Sequence, residues 1–271
     1  AASRLIPVSL ELGGKDPMIV CADANLDRAA NAAATFGLGN CGQVCASVER
    51  IYVEDEVHDE FVDKLVRAVS RLRQRGNTSA GAADVGAMAF PPQLEVVERH
   101  VADALAKGAR VLAGGRPGDG PGLYYEPTVL VDVDHDMDCM HDETFGPTLP
   151  VMRVRDTDEA VRLANDTRYG LSSSVYTRDT NKGEAIARRI RAGNTAVNDG
   201  YIHVAGWDAP YGGSRDSGVG ARNAREGILK YTEPHTIMIT RLGPNKDIGW
   251  LPNSKRITTL LERAFSRYYS R

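Results

Sequence analysis

The 271-residue chain carries a formal net charge of −3, with 42% hydrophobic and 25% charged residues, ordinary values for a globular protein. Its charge balance gives no reason to expect a nucleic-acid partner, and no apolar run approaches the roughly 18 residues that cross a bilayer. Four cysteines, Cys21, Cys41, Cys45 and Cys139, do not suggest a disulfide scaffold in a chain this long. With no signal-peptide pattern, a reducing, cytoplasmic location is expected.

In chain order, residues 7–11 alternate around Val8 and Leu10 as a short strand, broken by Gly13-Gly14. The apolar run Met18-Ile19-Val20-Cys21 predicts a buried strand. Residues 23–27 offer helix-starting side chains, and the alanine-rich stretch 28–35 continues the helix. Gly37, Gly39 and Gly42 then loosen a loop ending at Cys45, followed by a strand at Ile51-Tyr52-Val53. Val57, Phe61, Leu65, Val69 and Leu72 lie on one face of a predicted helix over 54–75. A loop over 76–88 leads to a helix over 93–107, closed by Gly108. Strands are expected at 111–112, 128–133 and 149–154. Asp156 and Glu159 resemble a capping box for a helix reaching about Asn165. A strand over 171–176, a helix over 182–191 and a strand over 195–198 follow. This β-α-β alternation predicts an α/β fold with a mainly parallel sheet covered by helices on both faces. In such sheets ligands sit at the carboxyl ends of the strands. Residues 235–240 alternate as an extended edge strand. Residues 255–271 read as a basic amphipathic helix, suited to protein packing or to an anionic membrane surface.

Cys45 ends a glycine-loosened loop, which suits a nucleophile whose thiolate is the reactive form. Gly42 lets the backbone approach a ligand, and the Cys45 N–H could face a developing oxyanion. A small buried hydrophobe is the ordinary alternative. His135, Cys139 and His141 stand among Asp134, Asp136, Asp138 and Asp142, but their spacing matches no zinc motif, so no metal is expected.

Six segments in order carry a broader pattern: Glu11-Leu12-Gly13-Gly14-Lys15-Asp16-Pro17, Asn40-Cys41-Gly42-Gln43-Val44-Cys45, Glu143-Thr144-Phe145-Gly146-Pro147, Pro210-Tyr211-Gly212-Gly213, Ser217-Gly218-Val219-Gly220 and Tyr231-Thr232-Glu233. From Ala1 to about Thr240 this resembles the aldehyde dehydrogenase superfamily, and in layout bacterial succinate-semialdehyde-type members. The resemblance implies a C-terminal catalytic half lacking most of the N-terminal dinucleotide-binding domain. Residues 1–13 would close that domain, 14–230 form the catalytic domain, 231–242 an oligomerisation strand and 243–271 a tail. Cys45 would attack an aldehyde, giving a thiohemiacetal and then a thioester as hydride leaves to NAD or NADP. Glu11 would be the general base, its burial suiting work near neutral pH.

Glu143 and Phe145 resemble the pair that holds the nicotinamide ribose and packs beside the ring. Leu12 and Gly13 would border that pocket, and Gln93 would contact the adenine-side ribose. Tyr201, Trp207 and Tyr211 would line the aldehyde tunnel, with Tyr211 where phenylalanine is usual. Two further departures are Gly39 and Arg215, the latter standing where lysine is common. A homo-oligomer is implied. A coenzyme A-acylating enzyme and a truncated, non-catalytic interaction domain are the alternatives; Glu11 favours water as the acyl acceptor.

Overall fold

Strands apolar on both faces need cover on both, and this chain supplies it with helices. The computed structural model describes residues 1–75, 81–243, 245, 250–252 and 254–270. Part of the expected 76–88 loop and the terminal Arg271 lie outside the described residues. In order come β1 (Leu10–Glu11), β2 (Asp16–Val20), α1 (Leu26–Leu38), β3 (Val48–Glu54), α2 (His58–Val69), α3 (Pro91–Ala106), β4 (Arg110–Ala113), β5 (Thr128–Val131) and α4 (Asp138–His141). Then follow β6 (Thr148–Val154), α5 (Thr157–Asn165), β7 (Ser172–Tyr176), α6 (Thr180–Ala187), β8 (Asn194–Val197), α7 (Ile202–Ala205), β9 (Gly218–Val219), α8 (Ala224–Leu229) and α9 (Lys255–Tyr269). The chain divides into two units, Ala1–Thr232 and Glu233–Arg271.

The main sheet of the first unit has the order β4-β5-β6-β3-β2-β7-β8. All its pairings are parallel except β4 with β5. Successive side chains leave opposite faces. Met18, Val20, Ile51 and Val53 pack with α1 and α2 through Ala29, Ala33, Phe61 and Leu65. Ile19, Tyr52, Leu130 and Val175 pack with α3, α5 and α6 through Val97, Val101, Leu163 and Ile186. Apart from this sheet, β1 and β9 form a two-stranded antiparallel ribbon, with Leu10 opposite Val219 and Glu11 opposite Gly218.

The expected α/β class and mainly parallel sheet are present. The helix expected over 54–75 is shorter at both ends. Glu54 stays in β3 because its carboxylate accepts from the Ala22 N–H at 2.6 Å and from the Thr157 hydroxyl. At the other end Asp84 draws Arg73 out of helical geometry, taking its backbone N–H and its Nε at 2.9 Å each. Leu72 still packs on the core. At α5 the Asp156 carboxylate accepts from the Glu159 N–H at 2.8 Å. Glu159 reaches back to the Arg155 N–H at 2.9 Å, one residue earlier than an ideal capping box.

In the second unit, α9 bears the expected apolar stripe, with Leu260, Phe265 and Tyr268 exposed. The strand expected over 235–240 forms no ladder among the described residues.

Phe61 is fully buried against the sheet, whereas Lys64, one turn on, ends in exposed ion pairs with Asp27 and Glu60. Phe61→Ala is expected to cost about 3–5 kcal/mol of stability and Lys64→Ala under about 1 kcal/mol, read from urea midpoints. Equal losses would contradict this packing.

Candidate active site

The sequence motifs converge at the amino ends of the parallel strands. Lys15 immediately precedes β2, Cys45 lies three residues before β3, Glu143 to Phe145 precede β6, and Leu171 precedes β7. This corrects the expectation of carboxyl-end binding. The polar residues that can organise a site lie in the loops entering the strands.

The organising contact is a buried ion pair. Lys15 Nζ lies 2.6 Å from Glu49 Oε2, with side chains 0% and 4% exposed. Lys15 also donates to Thr144 Oγ1 at 3.0 Å. Glu49 accepts the backbone N–H groups of Thr144 and Phe145, each at 2.8 Å. Phe145 is thereby held at a φ of 47°, an uncommon conformation for a bulky residue. Gln93, at the start of α3, donates to the Thr144 carbonyl at 2.6 Å, so its amide nitrogen braces the turn. His100 Nδ1 lies 3.1 Å from Thr144 Oγ1, and burial pushes the His100 ring down to about 4.

The turn delivers Glu143 onto Gly13. A Cβ at Gly13 would lie 2.0 Å from the Glu143 carboxylate, so only glycine fits. Gly14 N–H donates to Glu143 Oε1 at 3.0 Å. Burial, followed by the charge of Glu49, raises the Glu143 carboxyl. Leu12 and Phe145 are partly exposed beside it.

The cysteine loop follows α1 through three left-handed residues, Asn40, Cys41 and Gly42. A Cβ at Gly42 would sit 2.0 Å from the Gly146 carbonyl. The close approach expected of Gly42 is therefore to the Glu143–Pro147 turn, not to a ligand, and it ties the thiol loop to that turn. Cys21, Cys41 and Cys139 are buried, while Cys45 is half-buried. Burial pushes the three buried thiols up to about 11, 12 and 11 respectively. Burial first, then Asp16, also raises Cys45; the Ala46 N–H, Arg222 and the Cys45 N–H oppose them.

Tyr201 and Tyr211 reach this thiol: Cys45 and Tyr201 pack on Ala46, Leu171 and the buried Tyr211. Trp207 stands apart, 76% exposed. Glu11 lies on the β1–β9 ribbon, its Oε2 3.2 Å from Arg222 Nη1. Its side chain is 44% exposed, so the burial expected of it is not found, because the two-residue ribbon leaves it uncovered.

Among the described residues, no group of three His, Cys, Asp or Glu side chains could hold a metal. His135 Nε2 meets the Tyr52 hydroxyl at 2.8 Å and its Nδ1 meets Asp166 at 3.0 Å.

The roles of Lys15, Glu49, Asp16, Thr144 and Arg222 are not apparent from sequence motifs. One signal was available: charged Glu49 and Arg50 open the apolar run at β3, where each is buried, and buried charges need partners. Asp16 is buried, with Oδ1 accepting from Ser172 N–H at 3.0 Å and Oδ2 without a hydrogen-bond partner among the described residues. Its carboxyl is raised well above the usual range by burial.

A family model described as the aldehyde dehydrogenase family matches residues 1–237. A Mycobacterium ulcerans protein named "Putative succinate-semialdehyde dehydrogenase NADP(+) 2" is 50% identical over 245 residues, covering 89% of this chain and 47% of the relative. A Methylomonas 4,4'-diapolycopene aldehyde oxidase is 42% identical over 258 residues, covering 94% and 47%. The crystal structure of lactaldehyde dehydrogenase from Escherichia coli superposes with a TM-score of 0.81 at 38% identity, covering 85% of this chain and 48% of that one. The chain thus spans about half the length of the curated relatives it matches.

Lys15→Met would leave Glu49 as an uncompensated buried carboxylate. It is expected to cost about 3–5 kcal/mol in urea unfolding and to release the Thr144–Phe145 turn to proteolysis. A loss below about 1 kcal/mol would show that the pair does not carry the turn.

Proposed function

The chain belongs to the aldehyde dehydrogenase family, and from that premise we propose that it supplies the nucleophile and the base for oxidation of an aldehyde to a carboxylic acid with NAD or NADP. The observation that carries this reading is the packing of the half-buried Cys45 loop on the Glu143–Phe145 turn, through the Gly42–Gly146 approach. It ties the thiol loop to the turn that carries Glu143, a carboxylate suited to a diol.

Cys45 adds to the aldehyde carbon, and the Cys45 backbone N–H supports the oxyanion of the resulting thiohemiacetal. Loss of hydride leaves a thioester on Cys45. Glu11 draws a proton from the water that cleaves it, releasing the acid and restoring the thiol. Glu11 favours water over coenzyme A as the acyl acceptor. Tyr201 and Tyr211 form the aromatic wall beside Cys45, and the exposed Trp207 stands apart from it.

The residues present fit a nicotinamide nucleotide. Glu143 Oε1 accepts one backbone N–H, and no hydrogen bond reaches Oε2 among the described residues, leaving acceptor capacity for ribose hydroxyls. Leu12 and Phe145 offer apolar flanks, and Gln93 braces their turn. When bound, the nicotinamide supplies the hydride acceptor.

A semialdehyde is the proposed substrate class, supported by the mycobacterial relative's name, which also carries NADP(+). Residues 1–13 are read as closing a nucleotide-binding domain, 14–230 as the catalytic domain, 231–242 as a strand pairing with a second copy, and 243–271 as a tail. The exposed Ile237, Met238 and Ile239 support the pairing, since an unpartnered apolar edge is a liability.

In a full-length enzyme carrying this chain, Cys45→Ser is expected to abolish aldehyde oxidation while cofactor binding persists, because an unactivated hydroxyl is a far weaker nucleophile than a thiolate. Glu11→Gln should give a stoichiometric burst of reduced cofactor and then slow turnover. Full activity in the serine variant, or unchanged steady-state turnover in the glutamine variant, would remove the corresponding role.

A further inference from the structure

The half-buried thiol has little local help: burial and Asp16 raise it. One cation offsets this. The Arg222 backbone faces Tyr211 across an isolated antiparallel bridge, with reciprocal N–H to carbonyl bonds of 2.8 Å each. Its guanidinium lies 4.5 Å from the centre of the Tyr211 ring, whose other contacts include a stacked His203 at 5.8 Å. Tyr211 belongs to the cluster against which Cys45 packs. The same guanidinium reaches Glu11 at 3.2 Å. Glu11 is itself fixed by the Gly218 ladder and by the Leu12 N–H bonded to the Ser217 carbonyl at 3.1 Å.

Resting on the proposed roles of Cys45 and Glu11, we propose that Arg222 is a positioning residue of the reaction: one guanidinium, braced by Tyr211, holds the base in place and shares its positive charge between base and nucleophile. Other charges face the two groups. Lys230 lies 4.0 Å from Glu11, and its Nζ also meets Ser9 Oγ at 3.4 Å. Asp16 faces Cys45, as do the hydroxyl-bearing rings of Tyr201 and Tyr211. Arg222 is the cation that opposes Asp16 at the sulfur. Neutralising Glu11 therefore frees more of the Arg222 charge for Cys45, whereas removing Arg222 withdraws it from both groups.

The test is the pH profile of iodoacetamide alkylation at Cys45 in this chain, read by peptide mapping with melting curves as a folding control. Removing a cation raises a thiol, so Arg222→Gln should move the profile to higher pH by about half a unit, the low end of charge effects because the pair is partly exposed. Below the midpoint this is about a threefold slower reaction. Arg222→Lys should restore most of the rate. Glu11→Gln supplies an independent variant and should move the profile to lower pH. An unmoved profile in folded Arg222→Gln overturns the proposal; if that variant does not fold, an unmoved profile in Glu11→Gln does so. In the full-length enzyme, Arg222→Gln should slow hydrolysis of the thioester relative to its formation, and an unchanged ratio overturns the link to the base. Undiminished turnover in Cys45→Ser would instead sink the functional reading, while the alkylation shifts would still report where the Arg222 charge acts.

Discussion

The buried pair of Lys15 and Glu49 is the constraint on which the site depends. Taking an ammonium and a carboxylate out of water is expensive, and their attraction offsets the cost only when the remaining hydrogen-bonding capacity is also used. Here the carboxylate accepts the ammonium and two backbone N–H groups, while the ammonium also reaches a threonine hydroxyl. Arg50, fully buried beside them, donates to the Lys15 carbonyl at 2.9 Å and to the Leu163 and Ala164 carbonyls at 3.2 and 3.0 Å. These bonds tie the entries of β2, β3 and β6, which are neighbours in the sheet. The strained Phe145 and the placement of Glu143 on Gly13 follow from that tie.

Much of the fold was legible because its signals are local. Strands apolar on both faces, alanine-rich α1 and the capping residues of α5 each point to one structure. The helix boundaries after β3 were not, since they depend on Glu54 and Asp84 reaching partners far along the chain. The short α4 also escaped notice, being a single turn within a run of Asp and His. At the site, the cysteine loop and the Glu143–Pro147 turn stood out as segments, but their joining did not. Gly42 marked a close approach without naming the neighbour, which proves to be the Gly146 carbonyl. Arg222 gave no sign at all, because an arginine among surface residues looks like any solvated charge until its ring and carboxylate partners are in view.

The amino-end location also has an electrostatic consequence. Helices that run antiparallel to the strands bring their carboxyl ends to this edge of the sheet, and those ends do not favour anions. A thiolate or carboxylate placed there relies on discrete donors and side-chain cations: the Ala46 N–H and Arg222 for Cys45, the Gly14 N–H for Glu143. Each charge-bearing group is thus set by one or two neighbours rather than by a helix end.

The proposed nucleophile and base rest on different mechanical supports. Cys45 leads directly into the central strand of a seven-stranded sheet, whereas Glu11 rides on a ribbon of two residues paired with two. The sheet is stiff and the ribbon is light. The reach of Glu11 therefore depends on that ribbon, on the Leu12–Ser217 bond and on Arg222, not on the sheet that supports the thiol. In the proposed two-stage reaction, a change in the ribbon would thus touch the water step while leaving the support of the thiol in place.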